Sequence, residues 1–179
     1  MQDTARLARF KELVLAHLDA AYNLARWLTH DEFGAEEAVQ NACLRAYQAF
    51  DTLQGATARA WLMAIVRNAC YDWLRGNRAR LHEEAYEDEI HGGFDEGRAT
   101  VSPETAALQA SEARWVRSCI AVLPPEYREV IVLRELEDMS YKEISAIIDV
   151  PIGTVMSRLA RGRELLQQRM AASLLRNLS

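Results

Sequence analysis

The sequence predicts an all-α protein built as two small helical domains joined by an acidic flexible linker. Apolar residues recur at helical spacing through both halves. Strand signals are sparse, with few β-branched residues and no alternating stretch bounded by hairpin turns. Between the halves lies a stretch that lacks apolar periodicity and concentrates negative charge. The domains are accordingly placed at residues 1–80 and 103–179, with the linker at 81–102.

Charge segregation supports that division. Residues 81–112 carry nine acidic side chains (Glu83, Glu84, Glu87, Asp88, Glu89, Asp95, Glu96, Glu104 and Glu112) against Arg98 alone. The formal net charge of -5 therefore conceals two basic ends. Residues 59–80 hold Arg59, Arg67, Arg75, Arg78 and Arg80 against Asp72, and residues 140–179 are also net cationic. Such ends suit anionic partners, nucleic acid among them.

Several function classes are disfavoured. No apolar run has the length of a membrane span, and Met1 to Lys11 mixes charged with apolar residues, unlike a signal peptide, so a cytoplasmic protein without direct membrane contact is expected. Cys43, Cys70 and Cys119 are spread singly, which predicts buried free thiols and no disulfide framework or zinc knuckle. His17, His30, His82 and His91 lack metal-ligand spacing, and no phosphate-cradling glycine loop or activated nucleophile is recognisable. No metal, no cofactor and no catalytic residue are expected, and an all-helical enzyme is the weakest of the readings weighed.

The first helical stretch spans 4–29 with a break or bend, and the second spans 34–50. In the second, Val39, Cys43, Ala46 and Phe50 are read as the core stripe. Glu37, Gln40, Asn41, Leu44 and Gln48 form another face, with Arg45 at its edge. A leucine on a polar face is ordinary by itself. Here it is also a fit apolar anchor for a protein contact.

The third helix covers 57–79, with Leu62, Val66, Ala69, Cys70 and Trp73 on one face. Trp61 lies nearer a stripe with Asn68, Asp72 and Arg75, with Tyr71 alongside. Rings that stack on bases beside cations that hold the backbone are what single-stranded nucleic acid requires. Packing of Trp61 against a neighbouring helix is the alternative. With no acidic run close by, Arg75, Arg78 and Arg80 are read as phosphate contacts.

Ser102-Pro103 opens the next helix, at 103–122, because proline suits the first helical position. Helices follow at 125–137, 140–148 and 151–171. Ser140-Tyr141-Lys142-Glu143 is a capping box, in which serine and glutamate side chains each satisfy an unpaired N–H. Ile144, Ile147 and Ile148 point inward, and Pro151 stops this short helix and pre-sets the next. So tight a turn makes a helix-turn-helix candidate. Val155, Leu159, Gly162 and Leu166 share one face of the last helix, and Thr154, Ser157, Arg158 and Arg161 share another. That second face is fit for phosphates and base edges; a solvated polar face is the bland alternative.

These residues carry a resemblance. Glu36 to Phe50 resembles region 2.2 of the sigma-70 family of RNA polymerase specificity subunits, in particular its extracytoplasmic-function (ECF) subgroup. Ala60-Trp61-Leu62, Ile65 to Asn68 and Asp72 to Arg75 are similar to regions 2.3 and 2.4. Leu123 to Val130, Tyr141 to Ile144 and Gly153 to Arg163 are similar to region 4. Three motifs in the right order cover nearly the whole chain outside the linker.

The resemblance implies a sigma2-like and a sigma4-like domain. It implies that Glu37, Gln40, Asn41, Leu44, Arg45 and Gln48 grip the clamp of the largest subunit of core RNA polymerase. Trp61, Arg67, Asn68, Tyr71, Asp72, Arg75, Arg78 and Arg80, with the loop 51–60, would melt and read the non-template strand of the -10 element. Lys142, Thr154, Ser157, Arg158, Arg161 and Arg163 would read the -35 duplex, while the polymerase flap holds the opposite surface. An anti-sigma factor is the further partner that the family implies, and the acidic linker would run toward the RNA exit path.

Met156 stands where the family often has lysine or arginine, and Asn41 where an acidic residue is usual. No region 1.1, full region 3 or added C-terminal sensory domain is expected. A different helix-turn-helix regulator that binds duplex DNA unaided is the remaining rival, and it accounts only for residues 140–163.

Overall fold

The computed structural model describes residues 2–54, 57–81 and 103–177, with side-chain surroundings for 3–54, 57–78 and 110–175. Among the described residues every regular element is helical. The predicted linker, apart from Leu81, lies outside them.

Helix α1 (Gln2–Leu13) ends in a 3₁₀ turn, Leu15–His17, before α2 (Leu18–Thr29), which is the predicted break. Phe10 closes this corner by packing edge-on against Tyr47 and Phe50, at ring separations of 5.2 and 5.3 Å. Helix α2 buries Ala21, Leu24, Ala25, Trp27 and Leu28. It stops at His30, whose left-handed backbone (φ 56°) lets its N–H bond the Arg26 carbonyl. Asp31 then caps α3 (Glu32–Gln48) by accepting from the Gly34 N–H.

The core face of α3 is rotated from the predicted one. Gly34, Ala35, Ala38, Ala42 and Ala46 are buried, whereas Val39 and Cys43 are only half-buried. The reason is close approach: a Cβ on Gly34 would lie 2.5 Å from the Trp73 ring. Helices α2 and α4 flank α3, so small residues face both. After the 3₁₀ turn Phe50–Thr52, α4 (Ala58–Leu81) opens with the Thr57 hydroxyl accepting from the Ala60 N–H. Its core face is Leu62, Met63, Val66, Ala69 and Cys70.

Helix α5 (Pro103–Ala121) leads through Pro124 into α6 (Pro125–Ile131), which continues as a π-helical turn over Val132–Leu136. Both halves of the predicted capping box form at α7 (Tyr141–Ile148), and Asp149 ends it in a left-handed conformation, φ 55°. Helix α8 (Ile152–Asn177) outruns its predicted end at 171. Val155, Leu159 and Gly162 are buried, Leu166 is half-buried, and a Cβ on Gly162 would meet Ile131 at 3.0 Å.

The two helical groups also touch each other. Helix α2 contacts α6, α4 contacts α7, and buried apolar side chains from both groups form one continuous cluster. Each fully buried Leu or Ile in it contributes about 1.5–3 kcal/mol of hydrophobic stabilisation.

Candidate nucleic-acid and protein interfaces

One face of α4 gathers Arg67, Asn68, Tyr71, Asp72 and Arg75 around a shared recess. A 24-residue helix places positions 68, 72 and 75 one above another, so these three members of the predicted stripe share a face. Trp61 is half-buried and packs against the core, outside the residues that line the recess. Arg78 is exposed, and the side chain of Arg80 lies outside the described residues.

Arg75 has an acidic neighbour in Asp72, one turn earlier, which pairs with it. Asp72 also accepts from Arg45 of α3 at 2.7 Å. The Arg45 hydrogen bond, opposed by a small burial cost and joined by Arg75, holds the Asp72 carboxyl below the ordinary range.

Arg67 and Tyr71 meet a partner that the sequence did not announce. Glu129 of α6 is only 2% exposed and takes the Arg67 Nε at 2.8 Å, its Nη2 at 3.1 Å and the Tyr71 hydroxyl at 3.1 Å. Arg158 of α8 approaches the same carboxylate at 3.7 Å. Burial opposes the Arg67 charge, but Glu129 outweighs it and holds the guanidinium above its usual pKa. Burial and the charge of Glu129 push the Tyr71 hydroxyl up to about 12. Removing one partner from a buried ion pair costs about 3–5 kcal/mol, because the other charge is stranded.

Two further carboxylates bridge the groups. Glu137, 7% exposed, accepts from Arg59 at 2.8 Å and from Asn23 at 3.0 Å. Glu143, besides closing the capping box, accepts from Thr57 at 3.2 Å. The backbone N–H of Ser140 is the main cause of the lowered Glu143 pKa. Neither Glu129 nor Glu137 was read as a contact. The available signal was an acidic residue directly before the apolar run 130–133 and another directly after Leu136.

On the helix-turn-helix, Lys142, Ser157, Arg161 and Arg163 are exposed, while Thr154 and Arg158 are half-buried. Arg161 pairs with Glu164 at 2.6 Å, and Arg163 pairs with Glu135 at 2.7 Å. Surface pairs of this kind contribute about 0–1 kcal/mol and exchange readily for phosphate. Ile152 and Met156 add exposed apolar surface at the start of α8.

The outer face of α3 is open. Glu37, Gln40, Asn41, Leu44 and Gln48 are exposed, Arg45 is half-buried, and Leu44 stands 67% accessible. Glu37 accepts from the Trp73 indole N–H at 3.0 Å. Phe33, 70% exposed, precedes Glu37, Gln40 and Leu44 at i+4, i+7 and i+11, and so extends the face. Sequence reasoning missed Phe33 although its spacing was legible. Among the described residues no group of His, Cys, Asp and Glu could hold a metal ion, and no helix is long and apolar enough to cross a membrane.

Comparison with known proteins matches the sigma-70 region 2 model to residues 13–80 and the sigma-70 region 4 model to residues 113–166. The ECF RNA polymerase sigma factor SigE of Mycolicibacterium smegmatis is 32% identical over 94% of this chain, which spans 64% of that protein's length. SigW of Bacillus subtilis is 30% identical, covering 90% of this chain and 88% of its own. The sigma-E factor of Escherichia coli is 36% identical, over 75% and 72%. Among solved structures, the sigma factor RpoE in complex with the anti-sigma factor NepR from Bartonella quintana superimposes with a TM-score of 0.74. It is 25% identical and covers 91% of this chain and 97% of that one. CnrH in complex with the cytosolic domain of CnrY gives a TM-score of 0.62 at 25% identity, covering 91% and 88%.

Proposed function

Because the chain belongs to the ECF subgroup of the sigma-70 family, we propose that it binds core RNA polymerase and directs initiation at particular promoters under the control of an anti-sigma factor. The observation that carries this reading is the presence, in one chain and in family order, of the region 2 and region 4 matches.

The division of labour follows from chemistry. Residues 1–80 serve as the region 2 domain, 81–102 as the linker and 103–179 as the region 4 domain. The outer face of α3, with Leu44 as its apolar centre and Glu37, Gln40, Asn41, Arg45 and Gln48 around it, docks on the clamp of the polymerase. An exposed leucine within a polar rim has the composition of an interface core.

On α4, Arg67, Arg75, Arg78 and Arg80 hold the phosphates of the non-template strand. Tyr71, Asn68 and Asp72 meet its bases, with Trp61 at the margin. Flipping bases from the duplex costs a few kcal/mol, which stacking and phosphate contacts offset. Thr154, Ser157, Arg158, Arg161, Lys142 and Arg163 read the -35 duplex in the major groove. Met156 places a thioether where relatives often place a cation, so the -35 preference differs from theirs. The protein works in the cytoplasm by binding and strand capture, without covalent chemistry.

Run-off transcription with purified core polymerase on genomic fragments tests this. Discrete transcripts that require the chain support the reading. Absence of any initiation, with the inhibitor absent, overturns it.

A further inference from the structure

Glu129 is buried between the two helical groups, and its neighbours are drawn from both DNA-reading helices. Arg67 and Tyr71 come from α4 and Arg158 from α8. Arg67 presents Nε and Nη2 together, the forked geometry that a guanidinium offers to carboxylate and phosphate alike. Around that centre, Glu137 holds Arg59 and Asn23, and Glu143 holds Thr57, so three carboxylates of the C-terminal group grip α2, α4 and the turn before α4.

We propose that these carboxylates are an intramolecular latch: Glu129 occupies the anion position on α4 that a strand phosphate takes, so that in the closed free protein Arg67 and Tyr71 are withheld from a strand while Asn68, Arg75 and Arg78 stay exposed. The proposal rests on the strand-binding reading of α4. Arg67, Tyr71 and Glu129 form one hydrogen-bonded network across the interface, so the contacts are made and given up as a set. Nucleic acid that needs the open form binds with an affinity reduced by the fraction of molecules that are open. A partner that engages the groups only when they are apart shifts the balance by its preference for that form.

Glu129→Gln in the full-length chain keeps the shape and removes the charge. Two quantities read the latch: binding of a short fluorescent single-stranded oligonucleotide of mixed sequence, by anisotropy, and the radius of gyration from solution scattering. The expected result is roughly tenfold tighter binding, as when a mostly closed population opens, together with a larger radius. Glu126→Gln, the same charge change at an exposed position of α6, is expected to alter neither. Should glutamine at 129 prevent folding, Glu137→Gln frees Arg59 from the same interface and reads the same two quantities. Wild-type affinity and dimensions in a folded variant, or an equal gain in Glu126→Gln, overturn the latch. Run-off with core polymerase separates the two ideas: initiation by the wild-type chain alongside unchanged Glu129→Gln binding rejects the latch and leaves the sigma reading standing.

Discussion

Leu44 is two-thirds exposed in the middle of a polar helix face, where a monomer gains nothing from it. Leu44→Asp is therefore expected to abolish association with core polymerase while leaving the thermal midpoint unchanged; retained affinity in a pull-down would sink the α3 assignment. Arg161 and Arg158 lie on α8. Arg161→Ala and Arg158→Ala in the holoenzyme are expected to weaken transcription from the cognate promoter by about 1–3 kcal/mol, roughly fivefold to a hundredfold, without loss of core binding. His30 makes a prediction about stability. Burial first, then the charges of Arg128 and Arg26, push its pKa down to about 4 from 6.5. The folded imidazole stays neutral where the unfolded one takes a proton, so its contribution is full above about pH 6.5 and is lost as the pH falls toward 4. His30→Asn tolerates the left-handed backbone and should flatten the fall of the thermal midpoint across that window; an unchanged slope would contradict the assignment. Of these residues, Leu44 and Arg161 have an exposure that was legible from helical spacing. The shift at His30 was not, because Arg128 reaches it only in the folded chain.

Helix boundaries were legible where their signals were read locally: Ser140 caps α7 and Pro151 directly precedes α8, whereas the Asp31 cap was not read and α3 starts at Glu32 instead of 34. Ser140→Ala removes a cap and should cost about 1 kcal/mol, read as a lower thermal midpoint. The capping carboxylate adds a sign that can be checked. Glu143 has a lowered pKa, so its contribution is present at neutral pH and disappears as acid protonates it; Glu143→Gln should lose that acid-dependent part. Packing between elements was less legible. The core face of α3 was misplaced because valine and cysteine outrank alanine in hydrophobicity, while the space between α2 and α4 selects for smallness. Gly34→Ala is the direct test. Its Cβ would meet the Trp73 ring, and overpacking of this kind costs about 1–3 kcal/mol. A midpoint equal to wild type would show that the indole yields freely.

At the scale of the whole molecule, motif order disclosed two helical groups, whereas their mutual contact was invisible. Arg67 and Glu129 are 62 residues apart, and nothing local marks either as the other's partner. Arg75, by contrast, pairs with Asp72 only three residues away. Under the proposed function, promoter DNA opens only when the chain and core polymerase are together, region 2 on the strand and region 4 on the duplex. Permanganate footprinting, on a promoter recovered from run-off transcription, tests it most directly. Thymines of the -10 element are predicted to become reactive when chain and core are both present, and to stay protected with either alone. Reactivity absent from the complete mixture, or a stable footprint formed by the chain without polymerase, would contradict the account.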